Sequence, residues 1–182
     1  RKMSSKHIAR LALPALGMLA ATAVRGAVFE WTGPDNGAWS DNANWSLASG
    51  TDEDGVPDID DDVRLGAGAS GKRIDATAAN VAAHSLTFTA EAASSVLIDA
   101  TGRTFDLGDG QIVTVEAGSG AHTVKAGTLC IYGGGWGAKA FFANNCVHPL
   151  VLDAMLTHRM YKKPVFAGSG TERLWNRTLA GG

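Results

Sequence analysis

IDAT stands at residues 74–77 and returns unchanged at 98–101, 24 residues later, with LDA at 152–154 as a weaker echo. Short β-like runs surround these repeats: VRL (63–65), HSLTFTA (84–90), SSVLIDA (94–100), TFDLG (104–108), QIVTVEA (111–117), HTVKAG (122–127), TLCIYG (128–133), KAFFA (139–143) and PLVLDA (149–154). Pairs such as Leu86/Phe88, Val96/Ile98 and Val113/Val115 alternate with polar residues, which sends one side of each run inward. ATG (100–102), GDG (108–110), GSG (118–120) and GGG (133–135) punctuate them. Runs this short, joined by links this short, fit coils of roughly 20–25 residues. The expected fold is all-β, a parallel β-solenoid in which each strand pairs with its counterpart about 4.8 Å above and below. The alternative is an antiparallel β-sandwich. No stretch after residue 30 gives a persuasive amphipathic helix; the best candidate is Val151–Lys162, VLDAMLTHRMYK.

FEWTGPDNGAWSDNANW (29–45) concentrates Trp31, Trp39 and Trp45 among turn-forming residues. A solenoid end exposes apolar interior and unpaired strand edges. Each tryptophan can bury on the order of 200 Å². The three rings therefore read as anchors of an N-terminal cap, 24–62, ahead of coils spanning 63–182, rather than as a platform on which sugars stack. The coils are expected to break off within a repeat at Gly181-Gly182.

The N-terminus carries Arg1, Lys2, Lys6 and Arg10, then the uncharged LALPALGMLAATAV (11–24). Basic, apolar and small residues in that order read as a signal peptide, 1–23, with an A-x-A cleavage site at Ala21-Thr22-Ala23 and cuts after Gly26 or Ala27 as alternatives. Without it, 12 Lys and Arg face 18 acids, a net charge of −6. That balance argues against nucleic acid or an anionic membrane as partner, and no further segment reads as membrane-spanning. In an exported chain Cys130 and Cys146 are free to form a disulfide between neighbouring coils; the other reading is two small buried apolar residues.

The order Trp31-Thr32-Gly33, Trp39, Asn44-Trp45, Val56-Pro57 and Asp61-Asp62-Val63 resembles the start of passenger regions of the autotransporter-associated beta strand repeat family. AAHSLTFTA (82–90), HTVKAGTLCIYG (122–133), NNCVHPLVLDA (144–154) and FAGSGTERLWNRTLAGG (166–182) look like its coils. The resemblance implies a right-handed parallel β-helix, secreted or held at the cell surface or outer membrane. It implies an adhesin-like, non-enzymatic structural role, with extracellular glycans or cell-surface components as partners. Within that pattern Met155–Lys163 is too basic and bulky for a regular rung.

TDEDGVPDIDDD (51–62) holds six aspartates. Asp52, Asp54, Asp58 and Asp60 are the candidate ligands of a structural calcium, since calcium takes six to eight oxygens from flexible acidic loops. The spacing departs from an EF-hand, and a solvated loop is the plainer reading. Asp99, Asp106, Asp109 and Glu116 form a conceivable outward row for a polysaccharide-active enzyme, although a glycosidase pair needs a defined separation. A calcium-dependent glycan-binding module is the other alternative. No G-x-S-x-G is present; Gly118-Ser119-Gly120 reads as a turn. His84, His122, His148 and His158 read as strand-face or corner residues, and no catalytic or cofactor-binding residue is assigned.

Overall fold

The computed structural model describes residues 26–132, 139–158, 163–170 and 172–175. The leader expected at 1–23, the GGG corner at 133–135 and the tail after Trp175 lie outside them. Among the described residues the helical content is one 3-10 turn at Asn42–Asn44. No helix there is long and apolar enough to cross a membrane.

Three short strands come first, β1 (Val28–Trp31), β2 (Gly37–Ala38) and β3 (Trp45–Ser49). The next coil has three straight runs, β4 (Asp62–Leu65), β5 (Arg73–Asp75) and β6 (Val81–Ala83). Later coils alternate β7 (Ser85–Phe88) with β8 (Val96–Leu107), β9 (Gly110–Val115) with β10 (His122–Ile131), β11 (Lys139–Asn144) with β12 (Leu150–His158), and β13 (Lys163–Ala167) with β14 (Glu172–Trp175). One sheet runs β13-β11-β9-β7-β4-β1-β3 and the other β14-β12-β10-β8-β5-β2, with β6 beside β8. HSLTFTA and VLIDA do not form a hairpin. β7 pairs in parallel with β4 and β9, and β8 with β5 and β10. The fold is a parallel β-solenoid, and the sandwich is excluded.

Inward side chains stack in columns. Phe29, Val63, Leu86, Val113, Phe142 and Phe166 are successive register partners. Ile74, Ile98, Val124 and Leu152 form a second column, all buried. The IDAT repeat thus falls in register: Ile74 lies on Ile98 and Asp75 on Asp99. Its polar half is equally local. Thr77 donates to Asp75 Oδ1 from its N–H (3.0 Å) and its hydroxyl (2.8 Å), and Thr101 does the same for Asp99. Two carboxylates on adjacent rungs repel. Arg73 offsets this by donating to Asp99 from Nε and Nη2 at 3.2 and 3.0 Å. LDA is in register too, with Leu152 on Val124 and Asp153 on Lys125.

β8 runs through ATG without a break. Its first half pairs with β5 and its second with β6. The corner is taken at Gly102, whose φ of +74° is left-handed and whose surroundings are open. Glycine is required there by conformation and not by space. Downstream, Val151–His158 is strand, continuing the β-like run PLVLDA, and pairs with β10. Of the segment expected to be irregular, Met155–His158 pairs with β10 after a register shift between Asp153 and Met155, with its side chains half-exposed on a face of the coil. Residues 159–162 lie outside the described residues.

The Trp-rich segment supplies a rung as well as a cover. β1 pairs in parallel with β4 and β2 with β5, so the stack already includes Val28. β3 then folds back antiparallel on β1, setting Trp45 opposite Trp31. Trp45 meets Trp31, Trp39 and Phe29 edge-on, with ring centroids 4.9, 4.8 and 6.3 Å away. Its indole N–H donates to Trp39 O at 2.7 Å. Gly33 is a close approach: a Cβ there would lie 2.6 Å from Trp31 Cζ2 and 2.7 Å from Asn44 Cβ. Asn44 O accepts from the N–H groups of Thr32 and Gly33, and Asn44 Nδ2 donates to Ala38 O. The W-x-G and N-W pairs are therefore two halves of one packed unit.

Trp45→Ala is expected to cost about 3–5 kcal/mol, the usual range for a buried Trp. Hydrogen exchange should accelerate most in β1 and β4 and least in β12. Equal loss of protection along the whole stack would contradict the cap.

Candidate functional site

The acidic segment closes over the N-terminal end of the stack. Its backbone folds through its own carboxylates. Asp52 Oδ2 accepts from the N–H groups of Asp54 and Gly55, Asp54 Oδ1 from Val56, and Asp58 Oδ1 from Asp60. These are side-chain-to-backbone turns, for which aspartate is suited by its short reach. Asp61 is buried and joins three parts of the chain. Its Oδ1 accepts from Ala27 N–H at 2.7 Å, its Oδ2 from Asp58 N–H at 3.0 Å, and its carbonyl from His84 N–H. Burial pushes its carboxyl above the ordinary range, against the pull of those two N–H donors.

Asp62 opens β4 and faces outward. It accepts from Ser85 Oγ and contacts His84 Nδ1 at 2.9 Å, while His84 Nε2 lies 3.6 Å from Asp109 Oδ1 one rung on. Between loop and stack is a cleft of about 620 Å³, lined by Asp52, Glu53, Asp58, Asp60, Asp61, Asp62 and His84. The structure thus brings together three of the four candidate calcium ligands, Asp52, Asp58 and Asp60; Asp54 does not line the cleft. Among the described residues no three His, Cys, Asp or Glu side chains converge with metal-binding geometry.

The acidic row does not form. Asp99 lies on the first half of β8 and Asp106 on the second, either side of the Gly102 corner. Asp109 sits by His84, and Glu116 accepts from Ala90 N–H. Nothing in that arrangement sets two carboxyls across a sugar.

A polar cluster inside the coil escaped sequence reasoning. His122 is buried and stacks on Phe88, centroids 4.3 Å apart at 11°. Its Nδ1 accepts from Val96 N–H at 3.1 Å, so the ring proton is on Nε2 and is donated to Ser119 Oγ at 2.6 Å. Ser119 Oγ donates in turn to Ala92 O. The pair resembles a nucleophile and its base, but the tautomer is opposite to that role and both groups are sealed from solvent. Cys146 Sγ donates to Ser119 O, and Cys130 and Cys146 are both free and buried. Burial, followed by the nearby His148, pushes the His122 pKa down to about 4. The signal available beforehand was G-S-G followed by His at a strand start, which is too common to single out. No family model, curated protein or solved structure matches this chain.

Two measurements follow from these contacts. The unfolded chain binds a proton at His122 near pH 6.5 and the folded chain only near 4. Stability is therefore full above pH 6.5 and falls as pH drops toward 4, by about 3 kcal/mol in total. Asp61 works with the opposite sign, so the comparison must be internal: denaturant unfolding at pH 7, 5.5 and 4, with His122→Gln flattening the slope. Asp61→Asn puts an amide donor against a buried N–H and should cost about 1–3 kcal/mol at pH 7.

Proposed function

We propose that this chain is an exported, non-catalytic scaffold of the cell surface or extracellular space, an adhesin-like passenger segment of the autotransporter-associated beta strand repeat type. One observation carries the reading. The residues that resemble that family, Trp31, Gly33, Trp39, Asn44, Trp45, Asp61, Asp62 and Val63, are the ones that pack or hydrogen-bond to close the N-terminal end of a parallel solenoid. A covered first rung lets such a stack stand outside the cell with its outer faces free for glycans or cell-surface components. The acidic balance of the chain after residue 23 keeps it from nucleic acid.

The second reading, a calcium-dependent glycan-binding module, is supported by Asp52, Asp58 and Asp60 sharing one cleft. Calcium would there neutralise carboxylates that otherwise repel one another.

Expression of the full chain in a bacterial host, with fractionation and N-terminal sequencing, tests export. The expected product starts at Val24, or at Ala27 or Val28 for the alternative cuts, and lies beyond the inner membrane; an intact leader on cytoplasmic protein overturns the proposal. Thermal unfolding with millimolar calcium or with chelator separates the two readings. A midpoint that does not move supports the calcium-free scaffold, and one raised by calcium and abolished in Asp58→Asn supports the module.

A further inference from the structure

Charge is not spread evenly along this chain. Residues 27–62 hold ten Asp and Glu and no Lys, Arg or His. Residues 121–182 hold seven Lys and Arg against two Asp and Glu. In a solenoid, order along the chain is order along the axis. The cap is therefore the negative pole of the stack, and the later rungs are its positive side.

The register draws part of this polarity into one line. Asp62 and Ser85 are partners at the starts of β4 and β7, and His84 N–H donates to Asp61 O. His84 Nε2 lies 3.6 Å from Asp109 Oδ1 on the following rung. Gly110 partners Ala140 and Ala140 partners Pro164, which sets Lys139 on the rung after Asp109 and Lys163 on the rung after that. One corner of five successive rungs thus runs from Asp61 and Asp62 through His84 and Asp109 to Lys139 and Lys163. Neighbouring strands lie about 4.8 Å apart, so the line is about 19 Å long. Glu53, Asp58 and Asp60 enlarge its acidic end. All three are exposed and line the cleft beside Asp61 and His84.

The partner that fits such a line is a second copy of it, reversed. The chain after residue 23 has a net charge of −6, so two copies repel unless their poles cross. In parallel alignment, acidic end meets acidic end and basic end meets basic end, and like charges across an interface are costly. In antiparallel alignment each acidic end meets a basic one, and the contact occurs twice. A two-fold contact of this kind closes at two chains, and it uses an outer corner rather than an end of the stack.

We propose that the chain pairs with a second copy of itself, antiparallel along this corner, with Glu53, Asp58 and Asp60 of one copy against Lys139 and Lys163 of the other. The pairing goes beyond the scaffold reading and is independent of export and of calcium.

The test is analytical ultracentrifugation of the purified chain with chelator present, at up to about 500 µM, which reads dissociation constants of that order. Dimer is expected at about 20 mM salt. Its dissociation constant should rise at least about tenfold at about 500 mM, where the screening length is about 4 Å. Glu53→Lys with Asp60→Lys, and separately Lys139→Glu with Lys163→Glu, should each leave monomer. Mixing these two double variants should restore a salt-sensitive dimer, because each then offers the sign that the other needs at both poles. The rescue also shows that both variants are folded. A chain that stays monomeric at low salt overturns the proposal. So does a dimer indifferent to salt or to both double variants, a mixture that stays monomeric, or growth beyond two chains.

Discussion

Each coil of this protein is held by backbone hydrogen bonds to the coil beside it, and the first coil has such a neighbour on one side only. Trp45 resolves that asymmetry. Its antiparallel strand covers the exposed edge of β1, and its ring closes the apolar interior by meeting Phe29, Trp31 and Trp39 together. The rest of the end is arranged around that ring. Gly33 gives up a side chain to admit Trp31 and Asn44, Lys72 Nζ holds Gly33 O at 2.7 Å, and Asp61 ties the start of β1 to the loop that follows. Little of this is regular secondary structure, yet each piece has a partner.

The interior changes character along the stack. Near the cap it is aromatic, with Phe29, Trp31, Trp39 and Trp45 buried together. Farther on, His122, Ser119 and Asn144 lie inside, each satisfied by backbone. Asn144 accepts from Cys146 N–H through its side chain and from Gly170 N–H through its carbonyl, binding one corner to the next. Where no cluster of tryptophans fixes the turns, buried hydrogen bonds do so. They are costly to break because a lost partner leaves a desolvated group behind.

The repeat was legible because IDAT encodes both faces of a rung at once. Ile points in, Asp points out, and Thr answers the Asp two residues away, so the motif survives without knowledge of its neighbours. The cap's anchors were legible from tryptophan surface among turn residues. That the same segment forms a rung was not, because β2 is two residues long and leaves no alternation to detect. Nor was the continuity of β8 visible, since a glycine at a corner and a glycine between strands look alike in sequence. The acidic loop was legible as a count of carboxylates, but the N–H groups that claim Asp52, Asp54 and Asp58 are not written in side chains. For Val151–His158 the apolar spacing admits two periods, and only the partner strand decides between them.

The coils are not of equal length. Ile74, Ile98, Val124, Leu152 and Leu174 are equivalent positions, spaced 24, 26, 28 and 22 residues apart. Where the described residues show it, surplus chain is taken up at the corner after Ala100 and in a bulge at Ile112, and pairing then resumes in register. Position is thus copied from layer to layer, as in growth on a crystal face, and is not measured out along the polymer. An extra residue at one corner is forgotten by the next strand, so divergence in length is local and cumulative error does not arise. Such a molecule can be extended by whole layers without altering those already laid down, and what it has to preserve is the first surface on which the others form.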